Sequence, residues 1–577
     1  MGPDGSGPGK AGGGFVTALA SADMVDPPFP PAFPASERRL LLAMLAVVAL
    51  LLFLELPGSW LGEPDEGRYA EIPREMLATG NWMVPKLNGV DYFEKPPLTY
   101  WANAASMALL GRNPFAVRLP ERLAILGTAL LMIGSLRRRF GERVALLSAL
   151  VFLSAPMVFS LGRLALTDGM LTFTMAITLL ALHRFLLERE EGGRGAAAAA
   201  LAGAGVGLSL LAKGLIGVVL PGGAFLLWCL LRRRPRRIFE IVLSWAPVTA
   251  LLLAAPYFLA VDRAAPGFSK FFWIHEHFAR YATPEASRPG PIYYFAATLL
   301  VGMLPWTFFT SRLGRRLWFS RRLAKSPDPS DLWWAAWVTV ILVFFSLSHS
   351  KLIPYVLPAC PAAAVLFARL IDGHVKAGEK SLFRPLALHA LFWTAVGPAA
   401  LWLLSKQGDL ERYGLSAIAA GGVAGLVLSA WIGAAVSKRR PMAGLAAVVA
   451  GWCIFYAAAI VAFPRLAADQ SSHDLAVAAK KAAGSDAEVV CYHAYLQGFP
   501  WDLERRVRIF GWKGELAFGS ARGDQAAWFP AREDFWREWD SPKKMVALLR
   551  KKDRPDMYGH RAELVAQNRK YFVVRNF

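Results

Sequence analysis

Apolar runs long enough to cross a bilayer recur along most of this chain, and they limit its possible folds more than any other feature. About 20 consecutive apolar residues match a hydrocarbon core of roughly 30 Å. Hydrophobic residues make up 55% of the 577 positions and charged residues only 19%, which excludes an ordinary soluble protein. The sequence therefore predicts an α-helical polytopic membrane protein with about 13 transmembrane helices.

The formal charge of +21 is spread over short basic clusters between the apolar runs. This pattern is typical of cytoplasmic loops that follow the positive-inside rule, and it argues against nucleic-acid binding. If each apolar run crosses once, the basic clusters fall on one side and the polar, motif-like stretches on the other. Ionisable residues gathered at one membrane face indicate a functional site. The polar stretches lie at residues 65–95, 163–168, 213, 275–280 and 351–355.

Composition divides the chain into three parts. Residues 1–37 are rich in Gly and Pro, which predicts a disordered cytoplasmic tail. Residues 38–463 form the predicted transmembrane domain, whose first exoplasmic loop, 57–115, carries interfacial helices. Residues 464–577 predict a small α/β domain outside the membrane, with a helical run at 543–549. We expect this domain to be accessory, because it contains no recognisable nucleophile–base pair or phosphate loop.

The first exoplasmic loop carries the strongest chemical signal. It begins DEGRYAE, which places Asp65, Arg68 and Tyr69 on one helical face. Pro64 favours a helix start, so Asp65 would lie near the positive end of that helix, where an ionised carboxylate is stabilised. A carboxylate beside a guanidinium can accept a proton or orient an acceptor. An N-terminal cap with a surface ion pair explains the same spacing equally well.

The longer stretch DEGRYAEIPREMLATGNWMVPKLNGVDYFEKPPLTYWANA resembles the first exoplasmic loop of the lipid A 4-amino-4-deoxy-L-arabinose transferase family. The resemblance continues in RLALTDGM, LAKG, HEHFAR followed by GPIYYF, LLVGMLPW and SHSKLIPYVLP, and it becomes looser after about Arg369. It implies a GT-C type membrane glycosyltransferase, related to protein O-mannosyltransferases. Such an enzyme moves a sugar, here aminoarabinose, from a polyprenyl (undecaprenyl) phosphate to a lipid A-type acceptor, with inversion. The basic clusters predict that the first loop and the C-terminal domain lie outside the cytoplasm, and the resemblance implies that this is the periplasmic side of a bacterial inner membrane.

The resemblance also implies roles for individual residues. Asp65 would handle the acceptor, either as a general base for a hydroxyl or as an orienting group for a phosphate that is already anionic. Cationic and hydroxyl groups on the exoplasmic face would bind the lipid phosphate or the sugar. The residues implied in substrate binding are Arg68, Tyr69, Lys95, Asp168, Lys213, Arg280, Lys351 and Tyr355.

Two of these expectations leave alternatives open. Glu94 and His277 match family positions associated with a divalent metal, for which zinc is favoured, but His275 lies close enough to compete with His277. Asp168 suits binding of a sugar hydroxyl or amino group. It suits equally well a helix N-cap formed by Thr167 and Asp168.

Two other functions fit the sequence less well. A protein O-mannosyltransferase-like enzyme with a Ser/Thr acceptor shares the architecture and the acidic first loop, but the YFEKPP stretch favours the aminoarabinose group. A transporter would place its polar groups near the bilayer midplane on broken helices, often within internal repeats. Here the polar groups gather at one face, and the two halves of the sequence show no repeat.

Overall fold

The structure, a computed structural model, describes residues 33–279, 288–310, 329–377 and 381–577, and it is predominantly helical. Short 3₁₀ segments include Ile353–Ala359, and Lys270–Ala279 is a π-helix. The α-helices are Ala35–Phe53, Asp65–Thr79, Leu98–Leu110, Pro114–Ser154, Pro156–Leu161, Asp168–Glu190, Ala196–Lys213, Ile216–Leu231, Arg236–Val242, Trp245–Ala264, Tyr294–Gly302, Pro329–Leu347, Cys360–Lys376, Phe383–Lys406, Asp409–Arg412, Ser416–Ser437, Pro441–Ala467, His473–Ala483, Gly498–Leu503, Ala517–Ser520 and Arg532–Trp539.

Nine helices of the described ranges are long and apolar enough to cross a membrane. One of them, Pro114–Ser154, has 41 residues and is interrupted at Gly141, whose φ of 82° is not helical, so it provides two consecutive segments. The prediction of a multi-pass helical membrane protein is confirmed. The count of about 13 spans stays a prediction, because several apolar segments are shorter than a full crossing or lie partly outside the described ranges.

Ion pairs between helix ends are found at both ends of the helical bundle. At one end, Arg143 pairs with Glu37 at 3.1 Å and with Asp372 at 3.5 Å. At the other end, Arg118 pairs with Glu55 at 2.6 Å, next to the first loop. Charged residues that the apolar-run assignment put on opposite sides of the membrane therefore lie at opposite ends of the bundle.

The C-terminal domain is built on five strands: β3 (Glu488–Tyr492), β4 (Arg508–Phe510), β5 (Met545–Arg550), β6 (Glu563–Gln567) and β7 (Tyr571–Arg575). Their order is β4-β3-β5-β7-β6. Strands β4, β3 and β5 run parallel to one another, and β7 runs antiparallel to both of its neighbours, β5 and β6. A two-stranded ribbon of β1 (Lys86–Leu87) and β2 (Val90–Asp91) lies in the first loop.

The helical run expected at 543–549 is wrong, because this segment is strand β5 at the centre of the sheet. Val546 and Leu548 pack on one face of the sheet, with Leu475 of helix His473–Ala483. Ala547 packs on the other face, with Phe535. A central strand buried on both faces is apolar at every position, so its sequence lacks the alternation that identifies a strand.

The C-terminal domain packs directly on the first exoplasmic loop. Asn88 of the loop exchanges two hydrogen bonds with the backbone of Val507, each 2.9 Å long. A Cβ atom on Gly67 would lie 2.4 Å from the backbone nitrogen of Gly498, so only glycine allows this approach. Loop and domain also share one hydrophobic cluster, in which Ile72 packs with residues of the domain. The domain called accessory from sequence thus forms one wall of the region that carries Asp65.

Candidate active site

Helix Asp65–Thr79 positions the first group of candidate residues. Pro64 precedes it and Gly80 ends it with a left-handed φ of 69°, the conformation glycine adopts most readily. Arg68 donates from Nη1 to Oδ1 of Asp65 at 2.9 Å, as the spacing predicted. The Asp65 side chain is 54% exposed, so its carboxylate is oriented by Arg68 and still open to a substrate.

Arg68 has a second acidic partner, which the sequence reasoning missed. Its Nη2 donates to Oε2 of Glu515 at 2.6 Å, and the hydroxyl of Tyr92 donates to the same oxygen at 3.2 Å. Gln497 donates to the other carboxylate oxygen of Glu515. Glu515 belongs to the C-terminal domain and lies in no motif of its own, so nothing in the local sequence indicates it.

Tyr69 lies within electrostatic range of three of the predicted acids. Its ring is buried and stacks on Tyr100 with 5.8 Å between centroids. Burial raises the pKa of the Tyr69 hydroxyl well above its usual value, and the negative charges of Asp65, Asp168 and Glu94 act in the same direction against Arg68. The phenol is therefore neutral and can serve as a hydrogen-bond donor among these carboxylates.

Asp168 and Lys213 form a second group beside the first. Lys213 Nζ donates to Oδ1 of Asp168 at 2.6 Å, and both side chains are about nine-tenths buried, with 10% and 9% exposed. The same ammonium lies 5.4 Å from the ring centroid of Tyr355, within cation–π range. Three of the predicted residues, contributed by three separate elements, thus meet at one place.

Lys95 and Glu94 lie on the side of the loop that faces the π-helix. Lys95 Nζ donates to the carbonyl of Glu94 at 2.9 Å and lies 3.9 Å from Oε2 of Glu276. His275 is 54% exposed and its Nδ1 lies 3.6 Å from Oε1 of Glu276. Within the described side chains, no group of three or more His, Cys, Asp or Glu residues could hold a metal ion.

Two predicted residues fall outside the described part. The side chain of His277 lies outside it, although the backbone belongs to the π-helix Lys270–Ala279, and Arg280 lies outside it entirely. The Glu94–His277 metal site and the phosphate contact of Arg280 therefore stay predictions.

Lys351 is engaged by the protein itself. Its ammonium donates to the carbonyls of Phe345, Ser346 and Ser348 at 3.2, 2.7 and 2.8 Å. An ammonium has three N–H donors, so these bonds account for all of them. The carbonyls lie at the end of helix Pro329–Leu347, where a cation is favoured. In this arrangement Lys351 stabilises a helix end, and its role in substrate binding stays a prediction.

A buried ion network under the loop was also missed. Arg118 holds both oxygens of Glu66 at 2.7 Å and donates to Glu55 at 2.6 Å, and Arg122 donates to the second oxygen of Glu55. The backbone N–H groups of Gly62 and Ala165 donate to Glu66 at 2.9 Å each. Glu66 thus accepts two hydrogen bonds on each carboxylate oxygen, and its role is to fix the loop on the bundle.

Two family models match the chain. Residues 40–272 match the family described as dolichyl-phosphate-mannose-protein mannosyltransferase, and residues 475–576 match the aminoarabinose transferase C-terminal domain. The undecaprenyl phosphate-α-4-amino-4-deoxy-L-arabinose arabinosyl transferase of Pectobacterium atrosepticum is 31% identical over 528 residues, covering 89% of this chain and 92% of the relative. The chain belongs to this aminoarabinose transferase family. The enzyme of the same name from Pectobacterium carotovorum is 32% identical over 534 residues, with the same coverage of 89% and 92%.

A solved structure extends the likeness of this aminoarabinose transferase to three dimensions. The structure of ArnT from Cupriavidus metallidurans bound to undecaprenyl phosphate aligns with a TM-score of 0.82 at 25% identity, covering 93% of this chain and 98% of that one. The GT-C type fold and the glycosyltransferase class expected from the sequence are therefore confirmed. The chain is a multi-pass membrane glycosyltransferase.

Proposed function

We propose that this transferase moves 4-amino-4-deoxy-L-arabinose from undecaprenyl phosphate to a lipid A-type acceptor at the periplasmic face of a bacterial inner membrane. Family membership supports the donor and the sugar, and the resemblance of the opening loop supports the acceptor. One observation carries the proposal at the level of the site. The half-exposed Asp65, oriented by Arg68, and Asp168, paired with Lys213, both act electrostatically on the buried hydroxyl of Tyr69.

The chemistry is a single displacement at the anomeric carbon. The acceptor oxygen forms a bond to this carbon, the bond from the carbon to the phosphate oxygen breaks, and the electron pair leaves with undecaprenyl phosphate. Attack from the face opposite the leaving group inverts the configuration. If the acceptor is a hydroxyl or a protonated phosphate, its proton passes to Asp65. If the acceptor is a phosphate dianion, Asp65 and Arg68 orient it.

The remaining residues suit the two ends of the donor. The leaving lipid phosphate gains negative charge, and the ammonium groups of Lys95 and Lys213 are positioned to oppose it. Asp168 supplies a carboxylate for the amino group of the sugar, which a neutral sugar would not require. The neutral hydroxyl of Tyr69 can donate a hydrogen bond to the bound substrate.

We also propose a divalent ion at Glu94 and His277, which would supply a Lewis acid for the phosphate oxygens. No described cluster of three ligands supports this site, so no step above depends on it. Metal analysis of the purified protein and of Glu94→Gln would test the proposal. A stoichiometric ion in the parent that is reduced in the variant is expected, and equal metal content in both would contradict it.

Transfer assays with the purified enzyme in nanodiscs test the function. We expect sugar from undecaprenyl phosphate aminoarabinose to appear on lipid A, detected by mass spectrometry, and not on a Ser/Thr peptide. Transfer to the peptide alone would favour the protein O-mannosyltransferase-like alternative. Movement of an intact donor across a vesicle membrane without transfer would favour a transporter.

The periplasmic orientation needs its own test. Ala78 is exposed at the end of the first loop helix, and Arg234 is exposed in a basic cluster, on the opposite side in the sequence assignment. Of the native cysteines, Cys229, Cys360 and Cys491 are buried, and Cys453 is half-buried and is replaced by alanine. A membrane-impermeant thiol reagent should label Ala78→Cys in intact spheroplasts. It should label Arg234→Cys only after lysis. The reverse pattern would overturn the orientation.

A further inference from the structure

Glu121 is a buried acid that neither the sequence motifs nor the reaction above uses. It lies on helix Pro114–Ser154 with 0% of its surface exposed. Its Oε2 accepts a hydrogen bond from the backbone N–H of Met170 at 3.1 Å. This N–H group belongs to the first turn of helix Asp168–Glu190, so a neighbouring helix caps this turn.

The approach of Glu121 depends on glycine at position 169. A Cβ atom at Gly169 would lie 2.0 Å from Oε2 of Glu121, far inside van der Waals contact. The other oxygen, Oε1, is buried and has no hydrogen-bond partner among the described residues. Among the described residues, the helix terminus therefore supplies the hydrogen bond of this carboxylate, and burial leaves no solvent to replace that bond if it is lost.

The capping matters because Asp168 begins the same helix. The side chain of an N-cap residue ordinarily accepts a hydrogen bond from the free N–H groups of the first turn, and the N-cap residue of this helix is Thr167. Thr167 makes no side-chain cap hydrogen bond. Because Glu121 accepts from the N–H of Met170 in place of a Thr167 cap, it holds the first turn in which the carboxylate of Asp168 accepts a hydrogen bond from Lys213 at 2.6 Å.

We propose that Glu121 is a positioning residue: by capping helix Asp168–Glu190 from outside, it fixes the first turn of this helix so that Asp168 stays turned toward Lys213. Gly169 makes this possible because it lacks a side chain. The effect on catalysis rests on the proposed function, since it acts through the Asp168–Lys213 pair. The contact between Glu121 and Gly169 does not depend on that function.

A double-mutant cycle tests the route through Asp168. We expect Glu121→Ala to lower kcat/KM for sugar transfer by about tenfold or more, and Asp168→Asn to lower it at least as much. The combined variant should be no slower than Asp168→Asn, because the effect of Glu121 has already been removed. Reductions that multiply would overturn the proposal, as would a Glu121→Ala enzyme with parental kcat/KM.

Two further substitutions separate the cap from the charge. Glu121→Gln keeps an oxygen at the same reach and should retain kcat/KM within about threefold of the parent. Glu121→Asp keeps the charge but is one methylene too short to reach the helix, so it should behave like Glu121→Ala. The opposite ranking would show that charge matters rather than capping. Glu121→Asp also takes the place of Glu121→Ala in the cycle if the alanine variant does not fold.

Thermal unfolding tests the contact without any activity measurement. Gly169→Ala should lower Tm in the parent, where the new methyl group meets Glu121, but not in Glu121→Ala, where space is available. Gly134 lies on the same helix as Glu121 and has no atom within 4 Å of an added Cβ, so Gly134→Ala is the matched control in both backgrounds. Equal lowering by Gly169→Ala in both backgrounds would overturn the contact. An inactive parent enzyme would instead overturn the proposed function and leave this result standing.

Discussion

Asp65 and Glu66 are adjacent carboxylates at the start of one helix, yet they differ in exposure and in the number of hydrogen bonds that they accept. Glu66 is 4% exposed and receives both bonds of the Arg118 guanidinium together with two backbone N–H groups. Asp65 has a side chain that is 54% exposed and shares its arginine, Arg68, with Glu515. Charge and position in the sequence are nearly the same, and only the number of bonds and the exposure differ.

This difference separates an acid that builds the protein from one that can react. A buried carboxylate whose lone pairs are all occupied cannot accept a proton or a substrate without breaking the structure around it. A carboxylate that is oriented by one hydrogen-bond partner and is otherwise exposed can accept either. The same criterion distinguishes Lys351, whose three donors are used by backbone carbonyls, from Lys213, which faces Asp168 and Tyr355.

The largest expected effect comes from neutralising the two acids one at a time. Asp65→Asn should lower the transfer rate by about 10²- to 10⁴-fold, because it removes proton acceptance, while Tm stays within about one degree of the parent. Glu66→Gln should instead lower Tm and the yield of folded protein. Rate measurements and thermal unfolding on both variants check this. If Glu66→Gln lost activity at unchanged Tm, the distinction between the two acids would fail.

The next effect is on stability and concerns Arg118. Arg118→Leu leaves Glu66 and Glu55 without their shared cation in a buried site, which should destabilise the protein by about 3–5 kcal/mol. Unfolding of the detergent-solubilised protein measures this. The matched change Arg112→Leu removes an ion pair with the exposed Glu504 and should cost at most about 1 kcal/mol from that pair. Similar losses in the two variants would contradict the view that burial makes the network essential.

A smaller effect is expected for the lysine beside the proposed donor phosphate. Lys95→Ala should lower kcat/KM by about tenfold to a few hundredfold, the loss of one charged hydrogen bond worth roughly 1.5–3 kcal/mol. It should also weaken binding of a polyprenyl-phosphate analogue. Lys86→Ala, a more exposed lysine 3.8 Å from Asp91 in the same loop, is the control and should change neither. Parental turnover and affinity in Lys95→Ala would remove this residue from the site.

The smallest effect concerns pH and two acids on the buried side of the same helix. Glu71 is paired with Arg74 at 2.7 Å and lies beside Glu75, and burial raises the pKa of Glu71 from 4.5 to about 8. Protonated Glu71 therefore makes its full contribution to the free energy of unfolding below pH 4.5. This contribution is lost as the pH rises through 8. Tm of the parent should fall by about 2–4 °C more between pH 6 and pH 9 than Tm of Glu71→Gln. Parallel curves for the two proteins would show that Glu71 does not titrate in this range.

Much of this arrangement follows from the sequence alone. Apolar runs and basic clusters predict the membrane architecture, and helical spacing predicts the Asp65–Arg68 pair, because these are local patterns. The resemblance adds Asp168 and Lys213, which the structure brings together. Glu515 and Glu121 were missed for the same reason. Each acts through residues distant in sequence, and neither forms a local pattern that distinguishes it from an ordinary charged residue.

The packing of the first loop on the C-terminal domain has a consequence for how the enzyme is made. Arg68 and its partner Glu515 are 447 residues apart, so the loop is synthesised and inserted long before the domain that completes its bonding. Until Pro441–Ala467, the last long apolar helix of the described ranges, and the sheet have formed, Arg68 lacks one of its two acidic partners. We therefore expect sugar transfer to begin only after the C-terminal domain has folded on the loop.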